Sequence, residues 1–118
     1  MNDRPETVCS TRFRNPPEKC SEWLTLMRNG SIEAEIYDRS QFAHGCFGSD
    51  IAYILTLDFK AVQQLMEHVR PEDDQRNWSG VSQLDLYYVS QKFDCYHEFK
   101  GFCDFNEIPY SLVFEGNA

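Results

Sequence analysis

Apolar positions along this chain change period several times, and each change predicts an element. In residues 58–70, Ala61, Val62, Leu65, Met66 and Val69 recur at three- and four-residue intervals, which is the spacing of one helix face. Asp58 is placed to cap the first turn, His68 and Arg70 fall in the last, and Pro71 stops the helix. A second helix is predicted over residues 16–28. There Asn15 precedes two prolines and Glu18, Cys20, Trp23, Leu24 and Met27 form an apolar stripe, and Asn29-Gly30 reads as a left-handed terminator.

Other stretches alternate with a period of two. Ile32, Ala34 and Ile36 alternate with Glu33, Glu35 and Tyr37, which predicts a half-buried strand showing acids to water. Residues 50–57 hardly alternate, so this strand is expected to lie centrally, covered on both faces. Three further strands are predicted at residues 84–88, 93–100 and 110–114, where Leu84, Leu86 and Tyr88, then Phe93, Cys95, His97 and Phe99, then Tyr110, Leu112 and Phe114 each mark one face. The expected architecture is an α+β fold, a mainly antiparallel five-stranded sheet with two helices packed on one face. Residues 1–14 read as a polar N-terminal arm with a short strand at 11–14, and residues 15–118 as a single domain.

Composition narrows the choice of function. A hydrophobic share of 42% with 25% charged residues, over 118 residues, describes a globular chain and excludes disorder as the main state. The net charge of −8 opposes binding to a phosphate backbone or an anionic membrane, both of which need clustered Lys and Arg. The first fifteen residues are polar, unlike a signal peptide, and the most apolar run, residues 51–57, is far short of a membrane span. A cytoplasmic protein is therefore expected. Five cysteines, an odd number without a C-x-x-C spacing, fit reduced thiols better than a disulfide framework.

Two Cys/His spacings carry candidate chemistry. His44-x-Cys46 lies in a glycine-containing loop, where a thiol beside a base and free backbone amides has the makings of a nucleophile. Cys95-x-His97 would share one face of a strand and offer a thiolate and an imidazole to one zinc ion. Neither spacing matches the wider ligand separations of structural zinc sites. A packed core face shared with Phe93 and Phe99 explains Cys95 and His97 more simply, so no cofactor is assigned, and a small Cys/His-dependent enzyme or zinc-binding protein is the alternative reading.

The leading reading comes from charge. Residues 71–118 hold nine acids against three bases, a net of −6, together with ten of the seventeen aromatic residues. If Leu84, Leu86 and Tyr88 face inward, Asp85 and Tyr87 face out. Asp94, Tyr96 and Glu98 would join them on the next strand, with Asp73, Asp74 and Trp78 in the preceding loop. Acids steer a basic protein toward the surface and aromatic side chains anchor it. The expected function is a small protein-binding module that docks onto and inhibits a basic partner, in the manner of immunity proteins, antitoxins or phage-encoded inhibitors. A homo-oligomer through the same face is compatible with this pattern.

Overall fold

Alternating side chains build one antiparallel sheet from β1 (Thr7–Arg12), β2 (Cys20–Met27), β3 (Ile32–Asp38), β4 (Ile51–Leu57) and β5 (Ser111–Glu115). Each strand pairs with its neighbour in number, in the order β1-β2-β3-β4-β5. Three helices lie between β4 and β5 in the chain: α1 (Phe59–Val69), α2 (Gln83–Lys92) and α3 (Tyr96–Phe105). The computed structural model describes residues 6–17, 20–38, 51–72 and 81–115. The α+β class and the five-stranded antiparallel sheet are as expected, with three helices instead of two.

The register sorts side chains into two faces. Leu24, Ala34, Leu55 and Leu112 form one row across β2 to β5, flanked by a row of Leu26, Ile32 and Leu57 and a row of Glu22, Ile36, Tyr53 and Phe114. The helices cover these rows. Leu24, Leu26, Ile32, Ala34, Ile36, Leu55 and Leu57 share one core with Ala61, Val62, Leu65 and Met66 of α1, Leu86 and Val89 of α2, and Tyr96, Phe99 and Cys103 of α3. Phe13, Phe93 and Phe102 extend it through edge-on and tilted ring contacts, with Phe93 5.5 Å from Phe99 and 5.1 Å from Phe102.

α1 follows the sequence pattern closely, and the Asp58 carboxylate accepts the Ala61 N–H at 2.8 Å as its N-cap. β3, β4 and β5 also form where alternation or apolar density predicts them. β4 is internal to the sheet, although Tyr53, Ile54 and Thr56 are only partly buried.

Four predicted elements differ. Residues 20–27 are strand β2, not the end of a helix. Cys20, Trp23, Leu24 and Met27 fit a helical stripe, but Leu24 and Leu26 also alternate with Trp23 and Thr25. β2 lies between β1 and β3 with ladders on both sides, while an isolated helix of such length is marginal. Asn29-Gly30 turns a hairpin instead of ending a helix: Gly30 adopts φ +88°, its N–H bonds to the Met27 carbonyl, and Met27 N–H bonds to the Ser31 carbonyl. The first strand begins at Thr7, within the polar N-terminal segment, rather than at Thr11.

Residues 84–88 and 93–100 are helical. Leu86, Val89 and Phe93 recur at helical intervals, as do Tyr96, Phe99 and Cys103, and all are buried. Ser82 and Asp85 close a reciprocal capping box at the start of α2.

Candidate functional site

The change from strands to helices redistributes the expected docking residues. Asp85 is fully buried, and its carboxylate receives two hydrogen bonds from the Arg70 guanidinium, at 2.9 and 3.0 Å, plus the Ser82 N–H at 2.9 Å. It ties α2 to the end of α1. Tyr96 is also buried, at the first turn of α3, and burial pushes its phenol up to about 12. The shared outward face expected for Asp85, Tyr87, Asp94, Tyr96 and Glu98 depended on strand geometry and is not formed.

Tyr87 and Glu98 remain exposed, on α2 and α3 respectively, and Asp94 is partly exposed in the turn between these helices. Asp94 accepts from the Arg14 guanidinium at 2.7 Å, and its carbonyl accepts the Asn15 N–H at 2.8 Å, so the turn is clamped to the segment after β1. Asp73, Asp74, Trp78, His44 and Cys46 lie outside the described residues.

Cys95 and His97 are not two positions on a strand face. Cys95 is the extended N-cap of α3 and His97 its second residue, so the geometry argued for a shared ion is absent. Among the described residues, no group of three or more His, Cys, Asp and Glu side chains is placed to hold a metal ion.

A charged group is nonetheless built into the start of α3. Cys95 supplies no side-chain cap. In its place Glu22, reaching from β2, accepts the Tyr96 N–H through Oε1 at 2.5 Å. A carboxylate at a helix N-terminus is favourable, but Glu22 is 1% exposed and its Oε2 has no hydrogen-bond partner. Burial therefore holds the Glu22 carboxyl above the usual carboxylate range, against the opposing pull of that backbone bond and of nearby His97.

Two helical turns on, Asp104 accepts from the Tyr110 hydroxyl at 2.6 Å and the Lys100 ammonium at 3.1 Å. These two bonds hold Asp104 below the usual carboxylate range. An open cavity of about 270 Å³ lies beside this group, lined by Tyr53, Tyr96, His97, Lys100 and Leu112. Its wall is aromatic and apolar with one cation already paired, an arrangement suited to contact more than to proton transfer.

The opposite face of the sheet is the broader candidate surface. One row runs Arg12, Trp23, Glu35, Ile54 and Val113 across all five strands. Trp23 is 36% exposed and Val113 51%. The Arg12 guanidinium lies 4.6 Å from the Trp23 ring centroid, which holds the indole in place. Glu35 stands between Trp23 and Ile54, with Tyr37 two residues further along β3. This face thus combines an aromatic anchor, apolar flanks, one cation and one half-buried carboxylate.

Sequence reasoning missed Trp23 because the helical stripe assigned it to a core. The contrary signal was Leu24-Thr25-Leu26 directly before Asn29-Gly30, a strand running into a hairpin turn. Glu22 obscured it, since a carboxylate occupies an inward position where alternation predicts an apolar residue. No family model matches this chain, and no curated protein or solved structure matches it either.

Proposed function

We propose that this protein is an acidic binding module that docks onto a basic protein and inhibits it by occlusion, as immunity proteins and antitoxins do. The observation that carries this reading is the cross-strand row Arg12–Trp23–Glu35–Ile54–Val113, a surface with anchor and charge on a chain of net charge −8. Interfaces are enriched in Trp and Tyr, and acidic surroundings accelerate encounter with Lys- and Arg-rich surfaces. The Tyr37 ring on the same face and the rigid sheet beneath keep the ordering cost of binding low. Among the described residues, Cys9, Cys95 and Cys103 are free thiols, which suits action in the reducing cytosol.

The test is affinity capture of the tagged protein from its native cell extract at low and high salt, beside Trp23→Ala and Glu35→Lys variants. A stoichiometric basic partner is expected, held at low salt and released at high salt. Trp23→Ala is expected to weaken binding by about 2 kcal/mol, the scale of an interface hot spot, while thermal unfolding stays near wild type. Capture that is indifferent to both substitutions, or that strengthens with salt, overturns the reading.

A further inference from the structure

The two edges of the sheet are built differently. β1 is the sort of edge that resists pairing: its register slips between Thr7 and Cys9, and it carries Arg12. Bulges and cations are common means of blocking a sheet edge. β5 has neither in its central residues. Leu112, Val113 and Phe114 are consecutive, apolar, and 45%, 51% and 46% exposed. No described strand lies beyond β5.

Each row of the sheet that reaches β5 through these residues stops on an apolar side chain. Leu55 leads to Leu112 and Tyr53 to Phe114 on the helix side, with the Tyr53 and Phe114 rings 5.1 Å apart. On the other side Ile54 leads to Val113.

We propose that β5 pairs with β5 of a second copy of this chain, antiparallel about a two-fold axis at Val113, joining the two sheets into one. The strand Ser111-Leu112-Val113-Phe114-Glu115 is self-complementary in that register. Val113 opposes the partner's Val113, Leu112 opposes the partner's Phe114, and Ser111 opposes the partner's Glu115. Apolar cross-strand pairs of this sort stabilise a ladder. Charge selects the orientation. Glu115 is the strand's only charged residue, and a parallel in-register pairing would set it beside the partner's Glu115 in a complex of two chains that each carry −8. The antiparallel register opposes it to an uncharged serine. It also closes, because an isologous contact uses each copy's β5 once and leaves only the blocked β1 edges outside.

Sedimentation equilibrium of the full chain at low and high salt tests this, using wild type, Val113→Lys, Val113→Glu and an equimolar mixture of the two variants. Wild type is expected to show a monomer–dimer equilibrium that tightens as salt screens the repulsion of two acidic chains. Each variant alone is expected to dimerise at least ~10-fold more weakly, since like charges meet at the axis. The mixture is expected to recover a one-to-one dimer, because position 113 faces position 113. A wild type that is monomeric at every concentration, a variant as dimeric as wild type, or a mixture no tighter than its components would each overturn the proposal. Docking to a basic partner weakens with salt and depends on Trp23. Self-pairing strengthens with salt and is unchanged by Trp23→Ala, so the two readings fail separately.

Discussion

Replacing Asp85 by alanine is expected to be the most damaging single polar substitution described here. Asp85 is 0% exposed and Arg70 14%, and the pair is bidentate at 2.9 and 3.0 Å. Removing one partner of a buried pair strands the other charge, at a cost of about 3–5 kcal/mol. The substitution also removes the acceptor for Ser82 N–H and half of the α2 capping box, another ~1 kcal/mol. These effects overlap, so a total near 4 kcal/mol is expected, a large fraction of the ~5–15 kcal/mol available to a domain of this size. With a urea dependence of about 1.5 kcal/mol per molar, the unfolding midpoint should fall by roughly 2–3 M.

Arg70→Met alone should cost a similar amount, whereas Arg70→Met combined with Asp85→Leu should recover much of the loss, because neither charge is then left buried and unpaired. The assay is urea unfolding followed by far-UV circular dichroism for the wild type, both single variants and the double variant. A loss below ~1 kcal/mol for Asp85→Ala, or a double variant as unstable as the sum of the singles, would refute the reasoning that this pair locks α2 onto α1.

Three further outcomes follow from particular contacts. Glu22 has a folded pKa above its unfolded value, so its favourable contribution is complete below the unfolded value and is lost as pH rises through the raised one. Glu22→Gln keeps an acceptor for Tyr96 N–H and should therefore raise the unfolding midpoint at pH 8, with the gain shrinking toward pH 4; a gain independent of pH would show that burial of charge is not the cause. Cys103 is fully buried, and burial, helped by Asp104, pushes its thiol up to about 12, so it should stay unmodified by iodoacetamide at pH 8 in the native protein and react only on unfolding; rapid native labelling located by mass spectrometry would contradict its place in the core. Gly30→Ala introduces a Cβ where φ is +88° and would run into the Phe59 ring, so a loss of about 2 kcal/mol in thermal or urea unfolding is expected, and a neutral result would contradict the hairpin geometry.

How far the sequence could be read depended on whether one period was compatible with each stretch. α1 has only a helical solution, because Ala61, Val62, Leu65 and Met66 cannot share a strand face, and Asp58 and Pro71 mark its ends. β3 has only a strand solution for the matching reason. Residues 20–27, 84–88 and 93–100 admit both periods. Leu84, Leu86 and Tyr88 alternate, yet Leu86, Val89 and Phe93 are the residues that reach the core, while Leu84 and Tyr87 stay exposed. The five-strand total was therefore reached with two strands assigned to the wrong segments, and the Asp85–Tyr96 patch built on them dissolved. Ser82-x-x-Asp85, a helix-start signal, was present and outweighed by the alternation.

Composition, net charge, the period of α1 and the alternation of β3 and β5 were set by local chemistry, because those stretches satisfy one geometry regardless of their neighbours. They determined the α+β class, an acidic surface and the absence of a run long enough to span a membrane. Tertiary structure decided the rest. β2 became a strand because its two ladders and a buried apolar face outweigh a short helix, and that choice moved Trp23 from an expected core to the opposite face of the sheet. Asp85 became an interior group because Arg70, distant in the chain, pairs with its carboxylate, and Glu22 because the first amide of α3 donates to one of its two oxygens. Which acids point to water and which hold the fold together is set by such long-range partners, and no window of neighbouring residues contains them.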